Sequence, residues 1–188
     1  MARRPLDAYF TPRWQTEALL ARVPVTGIVL EPCAGDYSIV NVINERGAVT
    51  SILTNDVGRQ HLYDWTLDAT RPDLYRVAAP VDWIVTNPPY KSPDCLAIVQ
   101  RSVDTARVGV AMLLRLSFLE PTDTRNPRGP WLAAHPPDGL LVLPRHSYTG
   151  DGRSDSVTTA WVVWYRANRS KYRPIQCLHG ADALEVHA

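Results

Sequence analysis

The sequence predicts an α/β fold of the doubly wound type: a mostly parallel seven-stranded sheet with helices on both faces and an antiparallel strand at one edge. Three observations predict it. Apolar runs of strand length alternate with stretches of helical period along most of the chain, and strands joined through helices pair in parallel. Several of those runs are near-continuous, as strands buried on both faces must be. The last two, "GLLVLP" and "TTAWVVWY", have no helical stretch between them, so they are expected to pair antiparallel at one edge.

The elements follow in order. Thr11-Pro12 reads as a helix N-cap followed by proline in the first turn, opening a helix over 13–22 with Trp14, Ala18 and Leu19 on one face. "TGIVLE" (26–31) is a short buried strand. It breaks at "PCAGDY" into a second helix over 38–46, carrying Ile39, Val40, Val42 and Ile43. "AVTSILTND" is the next strand, ending near Asn55 and Asp56. Residues 57–80 are polar and irregular, with a short strand or turn at "WTLDAT" (65–70) that brings the strand count to seven. "VDWIVTN" (81–87) is a strand. After Pro93, the residues Leu96, Val99, Val103 and Ala106 recur at helical spacing, and "VGVAMLLRL" is a further apolar strand. A brief helix around Trp131 precedes the final two strands. The loop "RHSYTGDGRSDS" between them carries Gly150 and Gly152.

The 188 residues suit one domain with one core, and there is no internal repeat. No run is long enough to span a bilayer and no signal-peptide pattern is present. The three cysteines (33, 95, 177) lack zinc or redox spacing, and the five histidines (61, 135, 146, 179, 187) lack metal spacing, so no metal is expected. Reduced thiols imply an intracellular, cytoplasmic protein. The net charge of +1 neither supports nor excludes nucleic acid. Local clusters matter more, and two stand out: Arg3, Arg4 and Arg13, and the "RANRSKYR" stretch with Arg166, Arg169, Lys171 and Arg173.

Ligands of such sheets bind at the carboxyl ends of the strands. Here those ends carry Glu31, Asp56, Asn87 and, if its segment is a strand, Asp68. Gly35 sits in a tight strand-to-helix turn, where glycine permits close backbone approach and the helix start supplies free N–H groups. The three spaced glycines of a phosphate loop are absent. Glu31 further disfavours phosphate and favours a cationic or amine-bearing ligand. Asp56, about twenty residues after the turn, can accept both hydroxyl hydrogens of a ribose. Asn87-Pro88-Pro89-Tyr90 ends its strand in a stiff bend, since each proline fixes φ and lacks an N–H. Such a bend can aim the Asn87 side-chain oxygen and the Pro88 carbonyl at one planar amino group, with Tyr90 as a stacking face.

That tetrapeptide resembles the catalytic motif of the S-adenosyl-L-methionine-dependent amino-group methyltransferases. It looks most like the DNA adenine-N6 methyltransferases, especially small phage-type ones, over residues 7–166. The resemblance implies a class I methyltransferase, Rossmann-like sheet and S-adenosyl-L-methionine as cofactor. It assigns the catalytic role to Asn87, Pro88, Pro89 and Tyr90. It gives Tyr9, Phe10, Thr11 and Pro12 to the methionine carboxylate, and Glu31, Pro32, Cys33, Ala34 and Gly35 to the glycine turn. Asp56 would bind the ribose. Asp68, with Ala69, would face the cofactor's adenine amine, Asp64 being the alternative. The implied partner is DNA, its adenine flipped from the duplex or already single-stranded. One departure is Tyr37, where the family often has a second glycine. Another is the lack of a separate recognition domain: a single domain, 1–188, leaves 117–138, 145–157, the basic tail or a second subunit of a homo-oligomer to touch DNA. Arg115, Arg125, Arg128, Arg145, His146 and Arg153 lie in or beside those loops. The same tetrapeptide serves enzymes acting on RNA adenine and on protein glutamine, and a non-catalytic subunit is a further alternative.

Overall fold

The computed structural model describes residues 10–46, 48–91, 93–120, 127–145, 157–166 and 175–177. Its elements are α1 (Arg13–Leu20), β1 (Gly27–Glu31), α2 (Ser38–Glu45), β2 (Val49–Thr54), α3 (Pro72–Ala78), β3 (Trp83–Thr86), α4 (Asp94–Thr105) and β4 (Gly109–Arg115). A 3-10 turn (Leu116–Leu119) follows, then α5 (Arg128–Ala134), β5 (Gly139–Val142), β6 (Thr159–Tyr165) and the short β7 (Ile175–Cys177).

The strands form one mixed, mostly parallel sheet in the order β2-β1-β3-β4-β6-β5-β7. β1 to β4 pair in parallel, β6 runs antiparallel to both β4 and β5, and β7 lies parallel to β5. β5 and β6 do pair antiparallel, as the lack of a helical sequence stretch between them predicts. The reversed strand is nevertheless not at the edge, because β6 inserts between β4 and β5. Burial explains the choice. All seven residues of β6 are buried, whereas β5 has four residues and only Leu141 is buried. The more apolar strand takes the place with a partner on each side.

The strand expected at 65–70 is reduced to a single parallel bridge between Asn55 and Trp65. The irregular reading of 57–80 misses α3, whose signal is Pro72 in the first turn with Asp73 beside it.

Side chains alternate across the sheet with period two. Leu30, Ile84, Met112 and Leu114 face one core with Leu74, Ile98 and Val99 of α3 and α4. Val29, Trp83, Val85, Ala111 and Leu113 face the other with Ala18, Leu19, Ile39 and Ile43 of α1 and α2. Gly109 belongs to the second packing problem: a Cβ there would stand 2.7 Å from the Trp83 ring.

Candidate active site

The carboxyl ends of β1, β2, β3 and β4 lie along one edge. Register places Glu31 beside Thr54 and Thr86 beside Met112. The turn after β1 is stitched to the end of β2 by backbone bonds from Asn55 N–H to the Glu31 carbonyl and from Ala34 N–H to the Asn55 carbonyl, both 2.9 Å. Gly35 adopts φ +51° and Tyr37 adopts φ +66°. The second value is the left-handed conformation that glycine takes without penalty. Tyr37 therefore occupies a glycine-like backbone position, and its ring is held elsewhere. Its hydroxyl donates to the Leu62 carbonyl, and its ring lies 5.4 Å from both His61 and Tyr63. Tyr63 in turn donates its hydroxyl to the Gly35 carbonyl at 2.6 Å.

Asp56 stands against this turn. One carboxylate oxygen accepts the Gly35 N–H at 2.9 Å and the other accepts the Gly58 N–H at 2.7 Å. A carboxylate has about four acceptor sites, so these two bonds position it without exhausting it. Asp64 accepts both the N–H and the hydroxyl of Thr54, at 2.7 and 2.9 Å, and so pins the 57–65 loop to β2. Asp68 is exposed. It accepts the Thr70 N–H and hydroxyl, and the Thr70 hydroxyl, more than nearby Arg71, holds its carboxyl below the ordinary value. Asn55 organises the group, a role that sequence reasoning misses. Fully buried, its amide NH2 donates to the carbonyls of Pro32 and Leu67 at 2.9 Å, and its oxygen accepts the Leu67 N–H at 2.8 Å. It thereby joins the glycine turn to the Leu67-Asp68-Ala69 stretch. The only sequence signal is an amide placed directly before the strand-end acid.

Glu31 has no solvent exposure. Burial pushes its carboxyl up to about 8; Thr86 and the Cys33 N–H partly offset this, and the Asp56 charge adds to it. Oε1 accepts the Cys33 N–H at 3.1 Å, whereas Oε2 and the Thr86 hydroxyl each lack a partner in hydrogen-bond geometry. Burial likewise raises the Cys33 thiol well above its usual range, with Glu31 and Asp56 adding to the effect. A thiol held protonated is no nucleophile.

Thr11 is not the cap of α1 that the sequence suggests. The cap position is Pro12, with no side-chain bond. The Thr11 hydroxyl is engaged elsewhere: it accepts the Asn87 amide NH2 at 3.1 Å, and the Thr11 N–H donates to the Ser38 hydroxyl at 3.3 Å. Buried Thr11 thus binds the Asn-Pro-Pro-Tyr turn to the start of α2. This bond turns the NH2 end of the Asn87 amide toward Thr11 and the oxygen end away from it. Phe10 is half exposed, Pro32, Pro88 and Ala69 are buried, and Pro89 and Tyr90 are half-buried. The Arg115 guanidinium lies 4.9 Å from the centre of the Tyr90 ring.

Of the residues singled out in the sequence, Thr11, Glu31, Gly35, Asp56 and Asn87 are tied to one another's segments by these bonds. Asp68 joins them through its neighbours, by the Asn55 bonds to Leu67 and the Trp65 bridge to Asn55. Tyr9, Arg3, Arg4, Arg125, His146, Arg153, Arg169, Lys171 and Arg173 lie outside the described residues. Arg13 is engaged by Glu17 and Glu45 at 2.7 and 2.5 Å, which ties α1 to α2. No helix among the described residues is long and apolar enough to cross a membrane.

No family model matches the chain, and no curated protein matches it in sequence. Solved structures do match in fold. A type I restriction-modification methyltransferase subunit from Streptococcus thermophilus aligns with TM-score 0.62 at 14% identity, over 86% of this chain and 46% of that one. The type I restriction enzyme EcoKI M protein gives 0.59 at 14%, over 87% and 46%. A candidate class I S-adenosylmethionine-dependent methyltransferase from Listeria monocytogenes gives 0.55 at 10%, over 88% and 62%. The chain therefore shares the fold of these proteins while spanning roughly half to three-fifths of their length.

Proposed function

We propose that this chain transfers a methyl group from S-adenosyl-L-methionine to the exocyclic N6 of adenine in DNA. The observation that carries the reading is the Thr11 junction, which brings the Asn-Pro-Pro-Tyr turn against the helix that follows the glycine turn. Methyltransferases with the same fold, two of them type I restriction-modification proteins, lend support.

The donor set suits the cofactor. A buried acid with an unmatched oxygen, Glu31, stands beside the Asp56 carboxylate at the mouth of a left-handed turn. Such groups fit a cation that also bears an amine and ribose hydroxyls. Glu31, Pro32, Cys33, Ala34 and Gly35 would line the turn. Asp56 would take the ribose hydroxyls, Asp68 and Ala69 the adenine edge, and residues 9–12 the methionine carboxylate. When bound, S-adenosyl-L-methionine supplies an activated methyl group.

The remaining chemistry belongs to the chain. An exocyclic adenine nitrogen is a weak nucleophile because its lone pair delocalises into the ring. The Asn87 oxygen and the Pro88 carbonyl accept hydrogen bonds from its two N–H groups and favour a localised lone pair as charge develops, and the proton that the methylated nitrogen sheds passes to water. Tyr90 stacks the base once it has left the duplex. No covalent enzyme intermediate is required. Transfer of labelled methyl to duplex DNA, single-stranded DNA, RNA and a glutamine peptide tests the reading. Asn87→Ala is expected to lower transfer roughly 10²–10³-fold, the usual loss for one transition-state acceptor or donor. Wild-type transfer by that variant removes Asn87 from the chemistry, and transfer to RNA or peptide alone removes DNA as substrate.

A further inference from the structure

Arg115 ends β4 on the same edge as Asn87, directly after a strand whose other side chains are buried. Its Nε is buried and has no hydrogen-bond partner, and no carboxylate among the described residues pairs with it. What holds the guanidinium is the face of Tyr90, 4.9 Å away. Arg128 lies nearby. Its guanidinium is 5.4 Å from the ring centre of Phe118, in the 3-10 turn that Arg115 opens into. Arg145 adds a third positive charge and donates to Thr158, one residue from the strand partner of Arg115. Both Arg115 and Arg128 act on the Cys95 thiol in the first turn of α4, lowering it although burial still lifts it to about 12. Arg115 and Arg128 are both linked to the 3-10 turn after β4, Arg115 as the residue that precedes it and Arg128 through the Phe118 ring.

We infer that Arg115 is the receptor for the phosphodiester beside the target nucleotide, with Tyr90 holding its guanidinium ready at the mouth of the base site. The inference rests on the proposed methyl transfer to a nucleobase and makes its substrate class more specific. A guanidinium fork matches a phosphate with two parallel hydrogen bonds, and an unpaired one keeps that capacity. A nucleotide always brings an anion within a sugar's length of its base. A glutamine side chain brings none, so this arrangement favours nucleic acid over a protein amide. DNA and RNA share the phosphodiester, and Arg115 alone does not distinguish them.

The test uses the full chain and a short adenine-bearing single strand, as DNA and as RNA of the same sequence, with binding followed by anisotropy across a salt series. In Arg115→Met the slope of log affinity against log salt is expected to shrink by about 0.7, the signature of one lost phosphate contact on a single strand. Calorimetric affinity for S-adenosyl-L-methionine should stay at the wild-type value. Arg115→Lys keeps the charge and loses the fork, so it should retain the slope while binding several-fold more weakly. That result supports the inference even if the Met variant unfolds. A wild-type slope and affinity in Arg115→Met, or wild-type affinity in Arg115→Lys, overturns the role of Arg115 and leaves the proposed methyl transfer standing. Failure of the wild-type chain to bind either strand or the duplex formed from the DNA strand and its complement, with cofactor binding intact, overturns both. The strand bound more tightly identifies the source of the phosphate.

Discussion

Glu31 and Tyr37 are two residues the fold holds in costly states, and each makes a measurable claim. The Glu31 carboxyl is raised from 4.5 to about 8 because burial penalises its charge. A folded-state value above the unfolded one means that the stabilising contribution is complete below the unfolded value and is lost as pH rises through the folded one. Wild-type melting temperature should therefore fall between about pH 5 and pH 8 more steeply than that of Glu31→Gln, which has no proton to lose. The same acid should couple to the proposed cofactor. A cation brought near Glu31 favours its ionised form. Calorimetry at neutral pH in two buffers of different ionisation enthalpy should thus report proton release on binding S-adenosyl-L-methionine, and Glu31→Gln should abolish it. Tyr37 poses the opposite bargain. Its backbone sits in the left-handed region, while its ring and hydroxyl secure the 61–63 loop. Tyr37→Ala keeps the backbone strain and loses the contacts, whereas Tyr37→Gly loses the contacts and relieves the strain. The glycine variant should be the more stable of the two by about 1 kcal/mol, the cost of a left-handed L-residue. Equal melting temperatures would show that the backbone at residue 37 carries no strain.

Thr11 and Gly109 show how single positions set relations between elements. Through Thr11, the segment before α1 is bonded both to α2 and to the turn after β3. Thr11→Val preserves the shape and deletes the acceptor for the Asn87 NH2. Loss of one such bond costs about 0.5–1.5 kcal/mol of stability. The larger effect is expected on activity, because the Asn87 amide then loses a contact that orients it. Methyl-transfer rate should fall while affinity for S-adenosyl-L-methionine changes less. An unchanged rate in a folded Thr11→Val protein would sink the orienting role. At Gly109 the constraint is space. β4 passes under the Trp83 ring, and a Cβ would meet Trp83 carbons at 2.7 Å and the Trp164 carbonyl at 3.0 Å. Trp83 is completely buried and packs edge-on against Tyr165 at 5.5 Å, so it has little room to retreat. Gly109→Ala should cost about 1–3 kcal/mol by overpacking, read from denaturant midpoints.

Much of the whole architecture is legible in the amino-acid sequence because the deciding interactions are local. Apolar runs set β1, β3, β4 and β6, and the Asn-Pro-Pro-Tyr bend announces itself through proline stereochemistry. The parts that escape are those decided between distant segments. Nothing in Thr11 alone shows that its hydroxyl meets Asn87 rather than the helix beside it. Nothing in Asn55 shows that it clamps Pro32 to Leu67, and periodicity cannot rank β6 over β5 for the interior place. The placement of β6 is also what closes the molecule. From that strand the Trp161 indole N–H reaches the Gln15 carbonyl in α1 at 2.7 Å, with both groups buried and 146 positions apart in the sequence. Trp161 is fully buried in the same core as Ala18, Leu19 and Val85. The bond therefore joins the first helix to the reversed strand across the face that also supports the Thr11 junction. Trp161→Phe retains much of the aromatic bulk and removes the donor. Its cost should combine a lost buried hydrogen bond, about 1–3 kcal/mol, with a small packing deficit. For a domain of this size that lowers the melting temperature by roughly 2–4 °C per kcal/mol. Because Thr11 lies two residues before α1, the loss should reach the Asn87 turn as well. Amide exchange in α1 and around residues 86–90 should rise together in Trp161→Phe, while α3 and the middle of α4, which pack on the opposite face, keep wild-type protection. A rise confined to α1 would show that the junction at Thr11 holds without support from β6.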